Sequence, residues 1–431
     1  MYIFLIYINY TFNVSLDSRH ARFYGCDHLP KQAGNREDRR PMGRLDHCYN
    51  IADLREVAKS RLPKGVFEYI DKGTEDQISL DNNRATLNAT KLLNKILVDV
   101  SDVQLDAQIL GAKSAMPLVI APTGIAGLTW HEGEFELAKA AGRAGVPFTL
   151  ATGSNTPMEK VAQESGARAW FQLYMWREKE LSYELVRRAA KAGFETLVWT
   201  VDIGHGANRE HNARNGFSQP YKLNARSIVD MLKHPEWLAT VMGRYVMGGR
   251  MPEHVNYPEK YQMRMTGGGK RAAGHATAMR ADRVSWEDVD RLRDIWPGKL
   301  IIKGVMRVDD AQMAVERGAD AIVVSNHGGR NMDSAPATIA VLPKIVAHVG
   351  DKVDVIVDSG VRRGSDIVKC LALGAKAVLA GRATLYGVAA GGQPGAEKAL
   401  AILKDEMKRT MAYVGLQRVE DIDQDIIWRQ D

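Results

Sequence analysis

The chain has 431 residues, 45% apolar and 26% charged, a make-up that suits a folded globular protein and excludes a disordered one. Its net charge of +6 comes without a finger, RRM or basic-helix motif. Nucleic acid is therefore set aside as a partner, in favour of an anionic small substrate, an anionic cofactor or an acidic membrane surface. Three cysteines (Cys26, Cys48, Cys370) without CxxC or zinc spacing give neither a disulfide framework nor a metal motif and fit a reducing cytoplasm.

Residues 1–14 (MYIFLIYINYTFNV) are apolar and aromatic, but no basic residue precedes them and no small-residue cleavage site follows. The run does not read as a signal peptide and is too short to span a bilayer. Residues 15–45 are polar and Arg-rich. We expect residues 1–45 to be an N-terminal extension, with translation starting at Met42 so that 1–41 precede the protein proper; a weakly membrane-contacting tail is the alternative. Residues 50–73 predict a helical pair broken at Pro63. The folded domain is expected over 46–420, with a short tail at 421–431.

From residue 116 the chain alternates apolar runs with amphipathic helices. The runs are 116–122 (MPLVIAP), 147–152, 169–174, 196–202, 299–304, 320–326, 353–359 and 377–382. Near-continuous apolar stretches of this length predict strands buried on both faces of a parallel sheet. Asp309 is a candidate cap for a helix over 310–317 ended by Gly318, and Ser365 for one over 366–373 ended by Gly374. Cys370 falls in the second as a small core residue. Eight strand–helix units predict an α/β fold, a (β/α)8 TIM barrel with N-terminal helices and a long insertion after strand four. A Rossmann sheet is disfavoured because no G-x-G-x-x-G follows the first strand.

That insertion, 218–283, carries 11 Lys and Arg against 5 Asp and Glu, with Trp237, Tyr245, Tyr257, Tyr261 and several Met. Two readings stand open: contact with an anionic membrane surface, or a lid or subunit contact.

In such barrels the active site lies at the C-terminal ends of the strands. The polar residues there are Gln172 and Tyr174 after strand three, Thr200 and Asp202 after strand four with Arg209 in its loop, and Lys303 after strand five. Strand six ends in Ser325-Asn326-His327-Gly328-Gly329-Arg330, and strand seven in Asp358-Ser359-Gly360-Val361-Arg362-Arg363-Gly364. Strand eight ends in Gly381-Arg382. Paired Gly/Arg elements after strands seven and eight predict a cofactor phosphate site. His327 is the candidate general base, because imidazole titrates near neutral pH. Asp202 is placed to orient it, and Arg209 and Arg330 to clamp a carboxylate. Lys303 would set a positive charge beside the cofactor; an ion pair with a neighbouring acid is its plainer reading.

These motifs, with LPKGVFEYIDKGTEDQ, IAPTGIAGLTWHEGE, WFQLYM, IIKGVMRVDDA and IVVSNHGGRNMD, resemble the FMN-dependent 2-hydroxy acid dehydrogenase/oxidase family over about residues 46–415. The resemblance implies FMN as cofactor and oxidation of an L-2-hydroxy acid to the 2-keto acid. It implies that His327 removes a substrate proton, that Tyr69 helps the arginines bind the carboxylate, and that Tyr174 bonds the substrate oxygen. Pro122, Thr123, Gly124, Gln172 and Thr200 would contact the isoalloxazine, with Lys303 at N1. Asp358, Gly360, Arg362, Gly381 and Arg382 would hold the ribityl-phosphate end. Ala151 stands where many members have Ser, which puts one cofactor hydrogen bond in doubt. Gly153 replaces the Trp of glycolate oxidases, which predicts an open pocket and an aromatic substrate such as (S)-mandelate. LATGSN, GANREHNARNGF and DIVKCLALGAKAVLAGRATLYGVAAGG look closest to the mandelate dehydrogenase members, implying a quinone-type acceptor and a peripheral contact with the inner face of the cytoplasmic membrane. A homotetramer is also implied. An L-lactate or other aliphatic 2-hydroxy acid dehydrogenase or oxidase is the second reading; a phosphate-binding isomerase and a non-catalytic FMN scaffold are the remote ones.

Overall fold

The computed structural model describes residues 43–217, 225–261, 281 and 283–429. The proposed start at Met42, and the parts of the insertion at 218–224 and 262–280, lie outside the described residues.

All eight expected strands form. They are β1 (Leu118–Ile120), β2 (Phe148–Ala151), β3 (Ala169–Leu173), β4 (Thr196–Thr200), β5 (Lys299–Val305), β6 (Ala321–Val324), β7 (Asp354–Val357) and β8 (Ala377–Ala380). Each pairs in parallel with the next, and β8 closes on β1 through Val378–Leu118 and Ala380–Ile120. Alternation decides what fills the barrel. Val119, Val198, Ile301, Val323, Ile356 and Leu379 point inward. Leu118, Ile120, Leu300 and Ile302 pack under the surrounding helices. A hairpin of Ala107–Ile109 and Ala112–Ser114 adds Ile109 to the interior cluster. Leu110 N–H donates to Asp354 Oδ2 at 2.9 Å at the start of β7, so the hairpin plugs the N-terminal mouth.

The N-terminal pair forms as Ile51–Arg61 and Lys64–Asp71, with Pro63 as the N-cap of the second helix. The two predicted caps are corrected. The helix after β5 runs Val308–Glu316 with Arg307 at the N-cap, and the helix after β7 runs Gly364–Ala372 with Arg363 there. Asp309 instead pairs with Arg307 at the surface. Ser365 sits inside the first turn, and Asp366 Oδ2 caps by accepting from the Arg362 and Arg363 amides at 2.9 and 3.0 Å. This satisfies orphan N–H groups just as an N-cap side chain would. Cys370 is buried in that helix as expected.

The insertion also departs from expectation. It forms helical segments Ala225–Leu232, Pro235–Trp237 and Arg244–Met247, with a π-helical stretch at Leu238–Gly243. Its aromatic residues Trp237, Tyr245 and Tyr257 face inward. Trp237 Nε1 donates to Leu128 O at 2.7 Å, Tyr245 Oη donates to Gly127 O at 3.3 Å, and Tyr257 is buried. Tyr261 stacks on Trp176 with ring centroids 5.1 Å apart. The apolar residues that its described part exposes are aliphatic or Met (Ile228, Val229, Leu232, Val246 and Met247), beside exposed Arg226, Lys233, Arg244 and Arg250. Among the described residues no helix is long and apolar enough to cross a membrane.

Candidate active site

A cavity of about 640 Å³ opens at the C-terminal ends of the strands, within the size range of small-molecule sites. Its lining includes Tyr69, Pro122, Thr123, Gly124, Gly153, Tyr174, Thr200, Arg209, Lys303, His327, Arg330, Asp358, Gly360, Arg362, Gly381 and Arg382. Of the residues singled out from sequence, Asp202 and Gln172 are not part of that lining. Asp202 stands behind His327, and Gln172 is buried in β3.

His327 follows β6 with a left-handed backbone, φ 58°, a conformation that is strained for a side chain with a Cβ and recurs at functional sites. The strain buys position. Its Nδ1 lies 2.9 Å from Asp202 Oδ1 and its Nε2 lies 3.4 Å from the Tyr174 hydroxyl. A carboxylate on Nδ1 fixes the tautomer with the proton there, which leaves Nε2 as the acceptor. Asn331 Nδ2 holds the backbone of Asp202 through its carbonyl, at 2.8 Å. Burial pushes the His327 pKa below that of a free imidazole, although Asp202 pulls the other way. Burial also opposes the Asp202 charge, but His327 and Lys303 outweigh it and keep its pKa below the usual carboxylate value.

Lys303 lies two residues before the end of β5 at Val305, at a bulge where register shifts between Lys303 and Val305. Gly304 makes this possible: its φ is +111°, and a Cβ there would stand 2.7 Å from the Asp202 Cβ. The bulge turns a buried ammonium inward, 2.7 Å from Ser325 Oγ and 2.8 Å from Asp358 Oδ2. Burial works against its charge, yet Asp358 and Asp202 more than compensate, and the Lys303 pKa is raised. The plainer expectation of an ion pair and the position at the cavity wall thus hold together.

Arg330 Nη1 donates to Tyr69 O at 2.7 Å and to Lys72 O at 3.0 Å, with its guanidinium 5.0 Å above the Tyr69 ring. Arg209 Nε donates to Arg330 O at 3.2 Å. Both arginines therefore meet at one side of the cavity. Arg382 bonds the carbonyls of Ile70, Gly328 and Lys72, and burial lowers its pKa to about 10. Arg362 lies over the Tyr386 ring at 5.5 Å. The Gly360 and Gly381 turns line the same cavity as these two arginines, and Arg382 shares the Lys72 carbonyl with Arg330.

Two buried polar atoms, Thr200 Oγ1 in the lining and Gln172 Nε2 on the neighbouring strand β3, have no hydrogen-bond partner among the described residues. Buried polar groups left so are costly unless a ligand supplies the partner. An amide donor, a hydroxyl, a buried ammonium and a basic Gly/Arg end suit a flat polar heterocycle that carries a phosphate. The residues present fit FMN.

Gly153 lines the cavity, as its expected role in an open pocket requires. The insertion brings two residues beside it that sequence reasoning did not assign to the site. A Cβ at Gly153 would lie 3.4 Å from the Tyr257 hydroxyl and 3.7 Å from the His254 ring. Both side chains are buried and line the cavity. The signal available was indirect: a glycine at a pocket wall leaves space that another segment must border. His211, also unassigned, is buried near Arg330 and Arg209, and burial takes its pKa down to about 4.

A profile described as FMN-dependent dehydrogenase matches residues 58–429. The (S)-mandelate dehydrogenase of Pseudomonas putida is 39% identical over 381 residues, covering 88% of this chain and 94% of that one. An L-lactate dehydrogenase of Caulobacter sp. is 38% identical over 388 residues, covering 89% and 99%. A crystal structure described as the monotopic membrane protein (S)-mandelate dehydrogenase superposes with a TM-score of 0.82 at 37% identity, over 89% of this chain and 100% of that one.

Proposed function

The chain belongs to the FMN-dependent dehydrogenase family, and on that premise we propose that it oxidises an aromatic L-2-hydroxy acid such as (S)-mandelate to the 2-keto acid, with a quinone-type acceptor. The observation that carries the reading is the Asp202–His327–Tyr174 line, bonded at 2.9 and 3.4 Å, beside the anchored Arg330. FMN, when bound, supplies the two-electron acceptor. Lys303, Gln172 and Thr200 would hold its ring, with Pro122, Thr123 and Gly124 against it. Gly360, Arg362, Gly381 and Arg382 would hold its phosphate end, and Asp358 would keep Lys303 charged.

The chain's own groups then have separate tasks. Arg330 and Arg209 bind the substrate carboxylate, and the Arg330 fork is fixed in plane by its two carbonyl partners. Tyr69 supports that end through its ring and hydroxyl. Tyr174 steadies the substrate oxygen. His327 Nε2 accepts a substrate proton, and Asp202 stabilises the imidazolium that results. A lactate-type substrate is the second reading, favoured by the lactate dehydrogenases among the relatives.

Peripheral membrane contact belongs to the same proposal. Ile228, Val229 and Leu232 form one exposed face of a helix, and Val246 and Met247 are exposed on the insertion's helical segment Arg244–Met247. Such an apolar face on a basic segment suits the interface of an anionic bilayer. A homo-oligomer is part of the reading as well.

The test is anaerobic mixing of holoenzyme with (S)-mandelate and L-lactate, followed by flavin absorbance. Mandelate should bleach the flavin at the higher kcat/KM. Bleaching by lactate alone would move the substrate to the aliphatic class, and bleaching by neither would reject the assignment. Rapid reoxidation of reduced enzyme by oxygen alone would overturn the dehydrogenase half of the proposal.

A further inference from the structure

The two ends of the cavity meet at one helix terminus. The last carbonyls of the helix Lys64–Asp71 have no partner further along the helix, and its dipole makes that end partly negative. Guanidinium groups supply the partners. Arg330 donates to Tyr69 O and Lys72 O, while Arg382 donates to Ile70 O and Lys72 O. The Lys72 carbonyl is therefore shared, 3.0 Å from a nitrogen of each arginine. The arginine assigned to the substrate carboxylate and one assigned to the FMN phosphate take their aim from the same short stretch of backbone.

That stretch is held by Asp71. Its carboxylate accepts from Arg55 Nε and Nη2 at 2.6 and 2.7 Å, a two-pronged contact from the helix Ile51–Arg61. The Tyr386 hydroxyl donates to the same carboxylate at 2.6 Å. Tyr386 stands one turn after Arg382 in the helix that begins there, and the Arg362 guanidinium lies 5.5 Å from its ring. Burial opposes the Asp71 charge, but Arg55 and Tyr386 outweigh it and hold its pKa below the usual carboxylate value. A second cavity, of about 360 Å³, borders this junction, with Asp71, Lys72, Arg382 and Tyr386 in its wall. Close packing does not fix the helix end on that side, which leaves the task to the polar clamp.

We propose, resting on the FMN and carboxylate roles given above, that Asp71 is a positioning residue for both ends of the site. With Arg55 and Tyr386 it sets the helix end from which Arg330 and Arg382 are aimed. Asp71 does not itself line the main cavity. Its loss therefore weakens binding at both ends together and leaves the proton transfer at His327 alone.

The experiment uses the full-length holoenzyme carrying Asp71→Asn or Tyr386→Phe. The FMN Kd is read from the fluorescence of flavin released on dilution. KM and kcat are read at saturating FMN with a dye acceptor, on (S)-mandelate or on L-lactate if the wild type prefers it. Asp71→Asn should raise the FMN Kd and KM together by about ten-fold, with kcat within about three-fold of wild type. Tyr386→Phe, which keeps the ring against Arg362, should move both constants the same way by less. Asp320→Asn is the control, because it unpairs a carboxylate from Arg293 and Lys299 at the opposite end of the barrel. It should lower Tm without moving either constant. A rise in one constant alone, or no more change than the control gives, overturns the proposal. If Asp71→Asn does not fold, Tyr386→Phe decides it on the same two readings. A wild type whose flavin no 2-hydroxy acid bleaches rejects the parent reading instead, and flavin release then still decides the phosphate half.

Discussion

The two sides of the cavity are built from different materials. On one side, strand ends β4 to β7 bring together Asp202, Lys303, His327 and Asp358, tied to one another by charge-assisted contacts of 2.8 and 2.9 Å. On the other, the insertion turn at residues 253–257 is held to the loop after β2 by neutral side-chain amides, with stacked rings beside them. A buried charge network is unforgiving, since removing one partner strands the other. A wall of rings and amides changes its tip groups at far less cost. We read the first side as setting the reaction and the second as choosing the molecule that undergoes it.

The sharpest way to break that division is at the base. His327→Gln should slow flavin reduction by about 10²–10⁴-fold while the bound flavin spectrum stays normal; a smaller loss would mean the charged side does not carry the proton. The same residue sets the pH profile. His327 must be neutral to accept a proton, and burial lowers its pKa against the pull of Asp202. The rate should therefore be level through neutral pH and fall only on the acid side, below the ordinary imidazole range of about 6.5. Asp202→Asn removes the pull that holds that pKa up, so its acid limb should move further down while the plateau drops; a limb moving up would contradict the pairing.

Next in size is Arg330→Lys. An ammonium cannot reproduce a planar fork held by Tyr69 O and Lys72 O, and kcat/KM should fall on the order of 100-fold, chiefly through KM. Gly304→Ala should follow, combining a positive φ with a Cβ 2.7 Å from that of Asp202. A stability loss of about 2 kcal/mol, read as a lowered Tm, is expected. The smallest effect on chemistry belongs to Ile228→Ser combined with Leu232→Ser. Flavin reduction should be unchanged, whereas sedimentation with anionic phospholipid vesicles should be lost. Retained sedimentation would place the membrane contact elsewhere.

How far the sequence could be read follows the same division. The strands were legible because they are apolar on both faces, and the charged site was legible because its residues sit directly after them. His327 and Asp202, 125 positions apart, meet because successive strand ends share one rim. The helix caps were misread because a carboxylate at N3, Asp366, can reach back and cap in place of a residue at the start. The inward packing of the insertion's aromatic residues was not legible, for a different reason. Trp237 and Tyr245 bury themselves against carbonyls more than 100 residues earlier, and no local pattern states which face of a loop will find such partners. The place of His254 and Tyr257 at the cavity was not legible on the same ground.

Arg61 gives the insertion a further significance. The residue is 2% exposed, and its guanidinium lies 4.3 Å from the Trp130 ring. It donates to Thr129 O and Ala389 O, and it reaches Glu236 and Thr240 of the insertion. Burial lowers its pKa, and Glu236 supplies the counter-charge that offsets this. Trimming the insertion to make a more tractable enzyme would uncap a cation in the protein's interior as well as remove an outer patch. A shortened version would need Arg61 replaced by a neutral residue in the same step, so the segment behaves as part of the enzyme's frame that also happens to face outward.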